Sequence, residues 1–164
     1  MKRNLVLIRH TKASQGDFSL DDFERPLKKD RIDDAKNMAN KLSGLGLHPD
    51  LIICSPALRT KQTAEHFCDK LKYDYSRIQF ERSLYESSEA EIMEAVHSTD
   101  AEVRTLTIIA HNPSLTYFAN IFLSSKIEQI PTTGVVWMEF DNSDWKILPS
   151  TPAKLKYFLT PKTI

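Results

Sequence analysis

The chain has 164 residues and a mass of 18.8 kDa, which fits one domain over residues 1–164; a chain this long can bury about 70% of the surface it would expose unfolded. Lys and Arg number 22, as do Asp and Glu, so the formal net charge is 0. That balance excludes bulk electrostatic attachment to nucleic acid or to an anionic membrane, so neither is expected as a partner and any anion must be recognised locally.

The first apolar run, Leu5 to Ile8, follows Lys2-Arg3 and ends in Arg9-His10. It is too short for the core of a signal peptide or for a membrane span, so a soluble, cytoplasmic protein is expected. Its length and composition predict a buried strand over residues 5–9. The polar segment that follows, residues 11–28, is long for a connection inside a compact domain, a length usually kept for function. Ile32, Ala35, Ala39 and Leu42 then share one face of an amphipathic helix, with Gly44 near its stop. The apolar run from Leu51 predicts a second strand over residues 51–55. It feeds a helix with Ala64, Phe67, Cys68 and Leu71 inward, Ser55 as its cap and Pro56 in its first turn. Residues 78–85 read as a weak strand or extended loop. Ser88-Glu89-Ala90-Glu91 reads as a capping box opening a short helix. Strand 105–110 leads to a helix with Leu115, Phe118, Ala119 and Phe122 on one face, capped by Asn112 with Pro113 in its first turn. Val135–Phe140 and Trp145–Leu148, joined through Asp141–Asp144, predict a hairpin, and a last strand runs Leu155 to Leu159. The early β-α-β-α alternation implies an α/β fold with a mostly parallel sheet covered on both faces, to which the tail adds antiparallel strands. Cys54 and Cys68 form no close pairing motif and read as reduced structural thiols. With 4 glycines there is no glycine fingerprint for a dinucleotide or P-loop.

Three of the predicted strands end in chemistry: Arg9-His10, Ser55-Pro56 with Arg59 just beyond, and His111-Asn112-Pro113. Ligands bind at such ends in parallel α/β sheets, and cations gathered beside helix N-termini suit a phosphate. His10 ends a strand too apolar to face water. Nearby arginines should keep its imidazole neutral near pH 7, and a neutral ring whose other nitrogen is tied to a carbonyl or carboxylate is a competent nucleophile toward phosphorus. Successive strand residues point to opposite faces, so Arg9 and His10 can serve one site only if the backbone turns sharply there. Arg59 falls in a first helical turn, where the helix dipole disfavours a cation; a bound anion would offset that, and its planar fork suits two phosphate oxygens. His111 repeats the placement of His10. His48, His66 and His97 lack this context. There is no His-x-x-x-His spacing and no carboxylate cluster at these ends, so no metal and no other cofactor is expected.

Arg9-His10-Thr11 resembles the Arg-His-Gly signature of the histidine phosphatase superfamily, the phosphoglycerate mutase-like proteins. Arg25-Pro26-Leu27, the stretch Ser55-Pro56-Ala57-Leu58-Arg59-Thr60-Lys61-Gln62-Thr63, Ala110-His111-Asn112-Pro113 and Thr132-Thr133-Gly134 fall in the order seen in its small SixA-like phosphohistidine phosphatase branch. The resemblance implies a three-layer α/β/α sandwich whose mixed sheet carries one antiparallel strand. It implies that His10 attacks a phosphoryl group while Arg9, Arg59 and His111 hold its oxygens. Thr11, standing where the signature has glycine, and Asn112 are further candidates for the phosphate pocket. Arg25 resembles a pocket-rim arginine, with a salt bridge to Asp21 or Asp22 as the alternative. Glu86 is the best positional match to the family's general acid, with a solvated surface glutamate as the alternative. The implied activity is a metal-free phosphatase, with phosphohistidine on a protein as the substrate. A phosphatase of small phosphomonoesters or nucleotides and a non-catalytic phosphate-binding module remain the alternatives, so the expected partner is a phosphohistidine-bearing protein or a small phosphorylated molecule.

Overall fold

The computed structural model describes residues 2–15, 19–141, 144–149 and 152–164. Residues 16–18 of the polar segment and Asn142 and Ser143 of the expected hairpin turn lie outside the described residues. Six strands build the sheet: β1 (Lys2–Arg9), β2 (Leu51–Cys54), β3 (Gln79–Phe80), β4 (Thr105–Ala110), β5 (Val135–Asp141) and β6 (Ala153–Leu159). Their spatial order is β3-β2-β4-β1-β5-β6. The first four in that order are parallel neighbours. Strand β5 pairs antiparallel with β1, from Lys2↔Asp141 to Ile8↔Val135, and β6 pairs antiparallel with β5, which returns it to the common direction.

Strand β1 is buried without a break from Leu5 to Ile8. Uninterrupted apolar residues suit a strand covered on both faces, and the helices supply the cover. Val6 and Ile8 pack with Met38, Ala39 and Leu42 of α1 (Ile32–Gly44) and with Ala64 and Phe67 of α2 (Leu58–Leu71). Leu5 and Leu7 point the other way, to Ile92 and Val96 of α3 (Glu89–His97) and Leu115 and Phe118 of α4 (Ser114–Phe122). The period of two along one strand thus feeds two separate cores, and the result is the expected three-layer α/β/α sandwich. The parallel strands β1, β2 and β4 finish at one edge of the sheet, and the residues that follow them there are His10, Ser55 and His111.

The tail departs from the expected hairpin. Trp145–Ile147 is a single 3-10 turn, and the antiparallel partner of β5 is β6. Asp144 accepts a hydrogen bond from the Lys146 amide and starts the turn, which swings Trp145 into the core. The indole is fully buried and donates to the Val103 carbonyl at 2.8 Å, with the Arg3 guanidinium 5.5 Å from its ring centre. An apolar stretch that looks like a strand is a plug closing the far end of one core. The weak strand at 78–85 reduces to β3 and a 3-10 turn at Arg82–Leu84.

The helix starts differ too. The side chains of Ser55, Ser88 and Asn112 cap no helix: α2 starts after Ala57, α4 after Pro113, and α3 after Ser88 with no side-chain bond, so no capping box forms. For two of the three the reason is local. The Ser55 hydroxyl lies on His111, and the Asn112 amide donates to the Ile130 carbonyl while its oxygen accepts from Thr116. Among the described residues no helix is long and apolar enough to cross a membrane.

Replacing Trp145 with Ala should lower the free energy of unfolding by about 3–5 kcal/mol, the range for emptying a large buried aromatic site. Urea unfolding of the variant against the parent chain measures it.

Candidate active site

Strand β1 ends in a break of its own pleat. In an extended strand successive carbonyls point to opposite sides, so one amide cannot bond both. Here the Thr133 N–H reaches the carbonyls of Arg9 and His10 together, each at 3.1 Å. The backbone therefore bends at His10, which meets the demand that Arg9 and His10 set for sharing one site. The clasp that bends it is tight. Thr133 holds a left-handed φ of 64°, and the Gly134 amide donates to the Pro131 carbonyl at 2.8 Å. A Cβ on Gly134 would lie 2.7 Å from that same oxygen, so only glycine permits the approach. The Ile130 carbonyl in this loop accepts from a terminal nitrogen of Arg9 at 2.9 Å and fixes the guanidinium.

Arg9, His10 and Arg59 line one cavity of about 340 Å³ with Lys12, Ala13, Gln15, Arg25 and Thr132. The His111 ring lies 5.1 Å from that of His10, centre to centre. Burial, aided by the charges of Arg59, Arg9 and Arg25, lowers the His10 pKa to about 4 against the pull of the Thr11 carbonyl. Burial likewise lowers His111 to about 3, with the charges of His10 and Arg59 acting the same way. The arginines alone were expected to keep His10 neutral; desolvation is the larger cause.

Both imidazoles are therefore neutral at pH 7, each with one N–H and one lone pair, and their neighbours decide which nitrogen has which. His10 Nδ1 lies 2.7 Å from the Thr11 carbonyl, which can only accept. Its proton is on Nδ1 and its lone pair on Nε2, the arrangement a nucleophile needs. His111 Nε2 lies 2.7 Å from the Ser55 hydroxyl. That hydroxyl already accepts from the Ala57 amide at 3.4 Å and meets no other acceptor among its recorded contacts. Its proton therefore goes to His111 Nε2, and His111 keeps its own proton on Nδ1 as a donor.

That donor is buried and has no partner, and so are Nε of Arg9 and Nε of Arg59. Buried donors are nearly always satisfied in folded proteins. The three orphans belong to residues at the His10 cavity, since Arg9 and Arg59 line it and the His111 ring adjoins that of His10, and unspent donors there suit an acceptor-rich group.

The two outer nitrogens of Arg59 are occupied by a residue that sequence reasoning left as one of two salt-bridge alternatives. One donates to the Asp22 carbonyl at 2.7 Å and the other to Asp22 Oδ2 at 3.0 Å. Asp22 Oδ1 accepts from Nε and a terminal nitrogen of Arg25, at 3.0 and 2.7 Å, and Oδ2 also accepts from the Tyr85 hydroxyl at 2.7 Å. Partial burial works against the charged carboxylate, but the bonds from Tyr85 and Arg25 and the charge of Arg59 hold its pKa well below the usual range. Tyr85, which sequence reasoning did not single out, also sets its ring edge-on to His111 at 5.6 Å. The spacing Asp22-x-x-Arg25 was the available signal; nothing in the sequence linked either residue to Arg59.

The remaining candidates have these places. The third Arg25 nitrogen donates to the Ser14 carbonyl at 3.1 Å, so each of its nitrogens has a partner within the loop. Thr11 is fully buried, its amide on the Thr63 hydroxyl and its own hydroxyl on Thr133. Asn112 lines a neighbouring groove with Arg9 and Thr116 and spends its amide on Ile130 and Thr116. Glu86 is exposed, holds a left-handed φ of 53° and makes no recorded hydrogen bond or ion pair. Among the described residues no group of three or more His, Cys, Asp or Glu could hold a metal ion. Cys54 and Cys68 are buried free thiols.

Residues 5–102 match the family model of the histidine phosphatase superfamily (branch 1). An uncharacterized chloroplastic protein of Arabidopsis thaliana is 28% identical over 151 residues, covering 87% of this chain and 69% of that one. Among solved structures, one from Agrobacterium tumefaciens, provisionally named phosphohistidine phosphatase SixA, shares the fold with a TM-score of 0.83 at 21% identity, over 97% of this chain and 98% of that one. A structure of the protein histidine phosphatase SixA complexed with tungstate shares it with a TM-score of 0.82 at 21% identity, over 97% of each chain.

Titration of the imidazoles by ¹⁵N NMR should place His10 near pH 4 and His111 near pH 3. Ordinary midpoints near 6.5 would contradict the burial argument. Because both folded pKa values are depressed, the unfolded chain takes up protons first as pH falls below about 6.5. Stability should therefore decline from pH 6 to pH 4, on the order of 1–3 kcal/mol per pH unit. The same spectra should show His111 protonated on Nδ1, and Ser55→Ala should turn that signal into a mixture of tautomers.

Proposed function

Because the chain belongs to the histidine phosphatase superfamily, we propose that it is a phosphatase in which His10 carries the phosphoryl group between substrate and water, and that its substrate is phosphohistidine on a protein. The observation that carries this reading is the set of buried, unspent donors on Arg9 and Arg59, which line the cavity of His10, and on the adjoining His111, together with a His10 lone pair on Nε2. Phosphoryl transfer asks a protein mainly for positioning and for charge on the three equatorial oxygens. Two guanidiniums and one neutral imidazole N–H supply that without a metal. His10 Nε2 forms a bond to phosphorus as the bond to the leaving nitrogen breaks. Water then takes the phosphoryl group from Nε2, phosphate departs, and His10 returns to its neutral form.

The leaving group distinguishes the substrates. An alkoxide is a poor leaving group and needs a proton donor. Glu86 is exposed, with its charge acting on Tyr85 and no hydrogen bond or ion pair recorded for it, and Asp22 is held as a carboxylate. With neither acid poised, the chemistry favours an imidazole, which can leave already carrying its proton. The SixA structure complexed with tungstate, a tetrahedral oxyanion, supports a phosphoryl-sized ligand in this fold. Among the described residues the segment between β1 and α1 holds only two 3-10 turns and no lid-sized insertion, which fits a substrate presented on another protein.

Exposure to a protein bearing ³²P-phosphohistidine should label the wild-type chain transiently and should not label His10→Ala. Arg59→Ala should lose on the order of 10³ in turnover, near 4 kcal/mol of transition-state stabilisation. Labelling should persist at pH 5, since His10 protonates only near pH 4. Tight phosphate binding with no label and no turnover would make the domain a binding module. A preference of several decades in kcat/KM for small phosphomonoesters or nucleotides would overturn the phosphohistidine assignment.

A further inference from the structure

The geometry points to Asp22 as the residue that sets which leaving groups the cavity accepts: it holds the rim arginine and presents a fixed negative charge, so that phosphoryl donors with a neutral or cationic leaving group are favoured over those carrying a second anion. The inference rests on the phosphatase reading of the cavity and adds the class of substrate.

Three observations converge. The first is the state of Arg25. It lines the cavity beside Arg9, His10 and Arg59, where a free guanidinium would grip a carboxylate or second phosphate on a metabolite. Each of its nitrogens is instead engaged, two by Asp22 Oδ1 and one by the Ser14 carbonyl. The second is the fixing of Asp22. Four side-chain hydrogen bonds hold its carboxylate, from Arg25, Arg59 and Tyr85, and they keep it ionised. The third is its position. Its side chain remains 49% exposed while bonded to two arginines that line the cavity, Arg25 and the buried Arg59, and its charge is felt at His111. On this inference, a group leaving from a phosphoryl unit held by Arg59 and His111 feels this carboxylate as it departs. Lys12 also lines the cavity, but its ammonium is exposed and hydrated on a flexible stem and fixes no direction of charge.

A carboxylate a few ångströms from a departing group discriminates by charge. It repels phosphoglycerates and nucleotides, whose remaining parts are anionic, and it accepts a protonated imidazole. In a partly solvated mouth one such charge is worth about a factor of ten in relative rate.

The test uses two N-phosphorylated imidazoles that differ in the charge carried beside the leaving ring: phosphohistamine, which carries an ammonium, and phosphorylated imidazoleacetate, which carries a carboxylate. The wild-type chain should show the higher kcat/KM for phosphohistamine. In Asp22→Asn the ratio of the two should fall about tenfold toward the carboxylate, as the charge disappears and Arg25 is released, whereas Asp22→Glu should keep a ratio near wild type. A carboxylate that merely props up the loop would lower both rates together and leave the ratio alone, and that result overturns the inference. A wild-type preference for phosphorylated imidazoleacetate overturns it without any variant. Phosphoenzyme trapping on His10 with the same two compounds separates the failures. Labelling without charge selectivity removes only the role of Asp22, whereas no labelling with either compound removes the phosphatase reading and this inference with it.

Discussion

Two guanidiniums and two imidazoles crowd one end of the sheet, and the molecule tolerates them because burial keeps the imidazoles neutral. Four positive charges gathered at one cavity would repel one another strongly in a low-dielectric setting. Lowering His10 to about pKa 4 and His111 to about 3 removes two of the four at physiological pH. The same burial leaves a nucleophilic lone pair on one ring and a neutral donor on the other. Desolvation thus resolves an electrostatic conflict and creates the reactivity at once, and the cost appears as lower stability in mild acid.

The backbone around this cluster exists to hold it. Parallel strands deliver His10, Ser55 and His111 to one edge, but delivery alone would alternate Arg9 and His10 across the sheet. The Thr133 amide, shared between two successive carbonyls, breaks that alternation, and Gly134 allows the loop to come close enough to make the bond. Around it, buried Thr11 bonds through its amide to the Thr63 hydroxyl and through its own hydroxyl to Thr133, instead of facing solvent. The fully buried Thr11 lies where the family signature has glycine, and its methyl and hydroxyl are accommodated there because Thr133 supplies the polar partner.

Asp22 joins folding to chemistry. As a structural element it closes the polar segment back onto α2 by tying Arg25 to Arg59. As an electrostatic element it offsets part of the positive cluster where a substrate would otherwise supply all the negative charge. Such a countercharge offsets the repulsion between Arg25 and Arg59, which share it, while Nε of Arg59 stays unspent.

Much of this architecture was legible in one dimension. Unbroken apolar runs at Leu5–Ile8 and Leu51–Cys54 could only be strands buried on both faces, and the 3.6-residue spacing of Ala35, Ala39 and Leu42 could only be a helix face, because burial patterns are written by local periodicity. The tail was misread for a related reason: Trp145–Leu148 has the composition of a strand, and only the Val103 carbonyl waiting for an indole N–H makes it a turn and a plug. The residues at the strand ends were equally visible as types. What they do there depends on partners far away in the chain, which no local pattern records. Ser55 looked like a helix cap and became the hydroxyl that sets the His111 tautomer; Asp22 looked like one of several loop acids and became the anchor of two arginines. The chain by itself determined the layers and the chemical inventory, since those follow from periodicity and side-chain type. The tertiary structure alone decided the protonation states, the tautomers and the charge at the mouth, since those follow from which atoms are buried together.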